Sequence, residues 1–279
     1  MAQYKCNLII PGAAKSGTSS LHELLNLHPN ISMSKEKEPH YFSRRDKFEM
    51  GSDYFNSIFE DGRQKKVFGE SSTSYLICEE AIQRIYECLH TPRIVMVLRH
   101  PVDRTFSHYC WRYKLGLENR SFLDAIVQNG YGYNPDKTDT FGYMSYLQFS
   151  KYSTYIPIWI EAFGKDNVHL LNSRDLGRDE NPELAKIHKF LGLAPTMASN
   201  TTRMNSTESV MARPSKRMTL AASLIPQRFK KTELYAYSKR VIAKQFTKEP
   251  PRFMTQEERG FIENELSDDI AFFNTTFAG

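Results

Sequence analysis

The sequence predicts an α/β fold: a single domain, 1–279, with a central parallel sheet flanked by helices. Three observations predict it. Short apolar runs of strand length alternate with longer stretches of helical periodicity, the pattern of strand–crossover–strand units. A chain of 279 residues with 40% hydrophobic and 13% aromatic residues can bury one large core. The polar clusters directly follow the apolar runs, and ligands of parallel sheets gather at the carboxyl ends of the strands.

In chain order, the predicted strands are Cys6 to Ile10, Val67 to Gly69, Ile94 to Leu98 and Val168 to Leu171, each a short apolar run. Helical spacing predicts helices at Ser19 to Leu27, Ser52 to Phe59, Glu79 to Leu89, Val102 to Leu115, Phe122 to Gln128, Ser145 to Phe163 and Glu183 to Leu191. After an irregular polar loop from Pro195 to Arg213, helices are expected at about Pro214 to Ile225, Thr232 to Gln245 and Thr255 to Phe273. No run of about 18 apolar residues is present, so no membrane span is expected, and no signal peptide is visible. The expected compartment is cytoplasmic, with a trimmed Golgi-luminal chain as the alternative. Cys6, Cys78, Cys88 and Cys110 form no CxxC pair, which argues for reduced thiols rather than zinc or a disulfide scaffold.

The net charge is +5. From Arg213 to Arg252 eleven Lys/Arg stand against two Glu. No nucleic-acid-binding motif accompanies them, so they read as a solvated helical face with part of it facing an anionic ligand.

The opening segment YKCNLIIPGAAKSGTSSL is built as a phosphate cradle. Gly12 and Gly17 allow the backbone close to an anion, the next helix points its amides and positive dipole end at it, and Lys15 adds a full charge. Lys15 precedes Ser16 and Gly17, whereas a nucleotide-hydrolase loop ends in Gly-Lys-Ser/Thr. In SKEKEPHYF, from Ser34 to Phe42, Pro39 is expected to impose an extended path, and Glu38 and His40 are the candidate bases. In IVMVLRHPVDRTFSHY, from Ile94 to Tyr109, Arg99 emerges at a strand end and Ser107 lies within the following helix. Together they can hold a second phosphate, or Arg99 can pair with Asp103 while Ser107 back-bonds to its helix. In VFGESSTSYL, from Val67 to Leu76, Glu70 can orient Lys15 or an acceptor, or cap the next helix.

In this order the four segments resemble the PAPS-dependent sulfotransferases, and their carbohydrate, heparan-sulfate-like branch in particular. They are PGAAKSGTSSL, KEPHYF, GESSTSYL and LRHPVDRTFSHY, joined by the later unit KDNVHLLNSRDLGRDENPELAKIHKFLGL. The resemblance implies a P-loop-kinase-like sulfotransferase fold and transfer of a sulfuryl group from 3′-phosphoadenosine 5′-phosphosulfate (PAPS) to an acceptor hydroxyl or amine, leaving adenosine 3′,5′-bisphosphate. It implies that Lys15, Ser16, Gly17, Thr18 and Ser19 hold the 5′ end of the donor, and that Arg99 and Ser107 hold the 3′-phosphate. Glu38 is then the base, with His40 in reserve, and Glu70, Ser71 and Tyr75 form the acceptor wall. Arg213, Lys216 and Arg217 would close over the donor. No metal is required, and neither a nucleic-acid partner nor a membrane span is expected.

Many glycan-modifying relatives carry a lysine where this chain has Ser71. A small natural product such as an alkaloid or polyketide alcohol is the alternative acceptor, as expected of a short chain without a Golgi anchor. An ATP-binding, kinase-like protein and a non-enzymatic polyanion binder are the readings from other classes.

Overall fold

A computed structural model describes residues 4–60, 64–131, 145–196 and 253–278. Its centre is a five-stranded, wholly parallel sheet in the order β2-β3-β1-β4-β5. The strands are β1 (Leu8–Ile10), β2 (Ile31–Met33), β3 (Val67–Ser71), β4 (Arg93–Leu98) and β5 (Val168–Asn172). Between them run α1 (Thr18–Asn26), α2 (Arg45–Phe48), α3 (Gly51–Ser57), α4 (Glu79–Cys88), α5 (Pro101–Lys114), α6 (Phe122–Asn129) and α7 (Tyr152–Phe163). After β5 come α8 (Ser173–Arg178) and α9 (Glu180–Phe190), then α10 (Gln256–Glu265) and α11 (Ser267–Thr276).

Residues of period two feed opposite faces of this sheet. Leu8, Ile10, Val95 and Val97 join Leu21, Leu25 and Ile187 in one core. Ile9, Ile94, Met96 and Leu98 join Phe42, Phe55, Tyr75, Leu76 and Trp159 in the other. Burial on both faces explains why β1 and β4 read as continuous apolar runs rather than alternating ones. A third cluster, built on Val102, Tyr109, Phe122, Ile126, Tyr146, Ile262 and Leu266, packs α10 against α5 and α6. Gly69 sits where β3 is squeezed by its neighbours: a Cβ there would lie 2.6 Å from Met33 Sδ and 2.9 Å from Leu8 Cδ2.

Three expectations change. β2 was not expected; its three residues, Ile31–Met33, are buried and pair in register with Val67 to Gly69. The helix expected from Ser145 to Phe163 is a 3-10 turn (Gln148–Ser150) followed by α7, broken at Lys151 with ψ of 63°. The helix expected from Thr255 to Phe273 is α10 and α11, interrupted at Leu266. The helices expected at Pro214 to Ile225 and Thr232 to Gln245 lie outside the described residues, as does most of the basic segment. The four cysteines are free thiols, three of them buried. No helix among the described residues is long and apolar enough to cross a membrane.

Candidate active site

Because every strand points the same way, the segments after β1, β2, β3 and β4 all leave from one edge of the sheet. The chain reaches β2 and β3 on one side of β1 and β4 and β5 on the other, so the topology switches direction beside β1, where a crevice forms.

The loop after β1 is tied down by its main chain: Ala13 N–H donates to Val97 O at 2.8 Å and Leu76 N–H to Pro11 O at 3.1 Å. Gly17, at φ of 100°, is the residue preceding α1, and no side chain caps that helix. The amides of Lys15, Gly17, Thr18 and Ser19 take no backbone acceptor among the described residues. The Ser16 hydroxyl is buried beside the Tyr152 phenol, which donates to the Arg99 carbonyl at 3.1 Å. Donors left unmatched at a helix start are the requirement for holding an anion.

Several cations gather beside this loop. Burial pulls the Lys15 ammonium down to about 8, and Arg99, Lys37 and Arg104 push the same way. Its Nζ lies 5.1 Å from the centre of the Trp111 ring, a face that attracts a cation. Arg104 is fully buried; it donates to Ser150 Oγ at 2.5 Å and to the Tyr146 carbonyl, and burial lowers it to about 10. Of the two readings open for Arg99, pairing with Asp103 is not realised: Asp103 faces Arg259, at 3.5 Å. The Ser107 hydroxyl makes no back-bond to α5. Lys15, Arg99 and Arg104, which pair with no carboxylate among the described residues, fit a multiply charged anion.

The segment after β2 is not extended, contrary to expectation. Glu38 and His40 have φ of 60° and 56° on either side of Pro39, conformations that persist only where the surroundings over-determine them. Here the end of β3 does so. Glu38 N–H donates to Ser71 O at 2.9 Å and His40 N–H to Ser72 Oγ at 3.0 Å. The half-buried Glu38 carboxylate accepts from Lys37 Nζ at 2.7 Å and from the Thr73 amide at 2.8 Å. Burial works to raise this carboxyl, but Lys37, His40 and the Thr73 amide outweigh it and leave it below the ordinary range. His40 Nδ1 meets Ser74 Oγ at 2.8 Å and its Nε2 lies 3.8 Å from Glu38 Oε2. Burial chiefly holds the His40 imidazole below its usual pKa.

Glu70, Ser71 and Tyr75 are all fully buried. The Glu70 carboxyl, pushed up to about 8 by burial, accepts from Ser72 Oγ at 3.0 Å. It makes no ion pair with Lys15 and caps no helix. Ser71 Oγ meets His22 Nδ1 at 2.9 Å, and the Tyr75 hydroxyl accepts from the Phe42 amide at 3.1 Å. These three residues therefore lie behind the surface that faces solvent. Arg213, Lys216 and Arg217 lie outside the described residues.

Thr73, Ser74 and Trp111 belong to the same edge and were not singled out from sequence. Trp111 carried a legible signal: it follows Ser107 by four residues on α5 and so shares its face. Thr73 carried none, since its partner lies 35 residues away.

Parallel strands thus bring an uncapped helix start, a cation cluster and a clamped glutamate to one edge, an arrangement suited to holding an anion beside a carboxylate. The chain belongs to the sulfotransferase domain family, whose model matches residues 5–263. It is 25% identical over 199 residues to mouse heparan sulfate glucosamine 3-O-sulfotransferase 5, covering 71% of this chain and 57% of that protein. To human heparan sulfate glucosamine 3-O-sulfotransferase 6 it is 26% identical over 200 residues, covering 72% and 56%. The chain thus spans little more than half the length of these relatives. A solved sulfotransferase from Alicyclobacillus acidocaldarius is similar with a TM-score of 0.61 and 25% identity, over 84% of this chain and 98% of that one.

Proposed function

We propose that the protein transfers a sulfuryl group from PAPS to a hydroxyl of a carbohydrate or glycoconjugate acceptor. The observation that carries this reading is the pairing, at one sheet edge, of an uncapped α1 start beside Lys15 and Arg99 with the ionised Glu38 on the neighbouring loop. The donor supplies the activated sulfuryl group. The amides of Lys15, Gly17, Thr18 and Ser19, with Lys15 Nζ and Ser16 Oγ, hold its 5′ end, and Arg99 and Ser107 hold its 3′-phosphate.

Glu38 takes the proton from the acceptor hydroxyl as its oxygen attacks sulfur. Lys15 balances the charge that grows on the departing phosphate oxygen, and its desolvation strengthens that interaction. His40, with Nδ1 engaged by Ser74, stands beside the carboxylate as the alternative base. The similarity to heparan sulfate glucosamine 3-O-sulfotransferases supports a sugar hydroxyl as acceptor.

Transfer of radiolabelled sulfate from PAPS to heparan sulfate fragments, beside a panel of small alcohols, tests the reaction and sorts the acceptors. Glu38→Gln is expected to lower transfer at least about a hundredfold with affinity for adenosine 3′,5′-bisphosphate retained. Near-normal turnover by that variant moves the base elsewhere.

A further inference from the structure

The carboxylate assigned as base is held both from its own segment, by Lys37 and His40, and from the chain that follows β3. Lys37 is the adjacent residue and a quarter exposed, so solvent screens its pull. Buried contacts come from the segment directly after β3, where three successive hydroxyl residues, Ser72 to Ser74, face the loop carrying Glu38 and His40. Ser72 Oγ accepts from the His40 amide and donates to Glu70 Oε2, both at 3.0 Å. Ser74 Oγ meets His40 Nδ1 at 2.8 Å and Ser43 Oγ at 2.9 Å. Between them, Thr73 presents two donors to one carboxylate: its amide to Oε2 at 2.8 Å, and its hydroxyl to Oε1 at 3.1 Å and Oε2 at 3.2 Å.

We propose that Thr73 is a positioning residue for Glu38, its amide and hydroxyl together fixing both carboxylate oxygens in one orientation. Thr73 is 4% exposed, so water scarcely competes for its donors. Hydrogen bonds to a charged acceptor are about twice as strong as neutral ones. A grip on both oxygens removes the rotation that a single donor would leave open. The same loop has Glu38 and His40 at positive φ, and the Thr73 contacts are among those that hold it there. Other charged or titratable groups act on Glu38: Lys37 and His40 from its own loop, Glu70 from β3 and His22 from α1.

The role of Thr73 in the reaction rests on Glu38 being the base; its grip on the carboxylate does not. The test is therefore a carboxyl carbon NMR titration of Glu38 in the full chain, with the Glu38 resonance assigned by its loss in Glu38→Gln. Thr73→Val removes the hydroxyl and keeps the amide and the shape. It is expected to raise the Glu38 midpoint by about one pH unit, the size of one hydrogen bond to a charged group. Thr73→Ser is expected to restore the wild-type midpoint, and all three proteins are expected to bind adenosine 3′,5′-bisphosphate equally.

In the transfer assay Thr73→Val is expected to show about a tenfold fall in kcat at little change in donor KM, with its acid limb moved to higher pH. An unmoved Glu38 midpoint in Thr73→Val overturns the proposal, and so does a moved midpoint that Thr73→Ser fails to restore. Normal transfer by Glu38→Gln, with the midpoint still moved by Thr73→Val, removes Glu38 as base and leaves the grip standing.

Discussion

The Lys15 ammonium, held down to about 8 by burial and by Arg99, Lys37 and Arg104, is charged below that pH and neutral above it. A phosphate ligand favours the charged form, so binding draws a proton from solution. Titration of the protein with adenosine 3′,5′-bisphosphate at pH 8, in buffers of different ionisation enthalpy, is expected to report uptake of about half a proton; no uptake would detach Lys15 from the ligand. Glu70 works in the opposite sense. Its carboxyl is raised from 4.5 to about 8 by burial, so the folded state retains a proton that the unfolded chain releases. Stability from this group is intact below about pH 4.5 and is lost as pH rises toward 8. Glu70→Gln, neutral at every pH, is expected to gain in Tm over the wild type as pH increases from about 5 to 8. A constant difference across that range would mean that Glu70 is ionised in the fold.

At the scale of elements, what could be read from sequence depended on how much of each signal was local. The strands β1 and β4 declared themselves because burial on both faces makes them apolar runs. β2, three residues long, pairs among the described residues with β3 alone, and nothing in Ile31–Met33 alone distinguishes a strand from a loop. The breaks at Lys151 and Leu266 escaped because apolar spacing continues across them. The ends of β1, β2 and β4 could be read because Gly17, Glu38 and Arg99 follow directly on apolar runs or sit beside Pro39. The bend of the Glu38 loop could not, since it depends on Ser71, Ser72 and Thr73 of a different strand. Gly69→Ala tests the close approach of β1, β2 and β3: a Cβ at 2.6 Å from Met33 Sδ is expected to cost about 1–3 kcal/mol in denaturant unfolding. A neutral result would show that Met33 and Leu8 give way freely.

At the scale of the whole molecule, strand order does the assembling. With β1 central and all strands parallel, residues as far apart as Lys15 and Arg99 reach one edge. The cost is mutual repulsion among Lys15, Arg99 and Arg104, which an anionic ligand relieves. Ligand at about one hundred times its Kd should stabilise the fold by about 2.7 kcal/mol, seen as a rise in Tm. The most direct test of the central claim is calorimetric titration with adenosine 3′,5′-bisphosphate beside ATP and ADP, all without metal. Tight binding of the bisphosphate alone is the predicted result, because Arg99 and Ser107 would recognise a 3′-phosphate that ATP and ADP lack. Equal or tighter binding of ATP, or no binding of the bisphosphate, would contradict it.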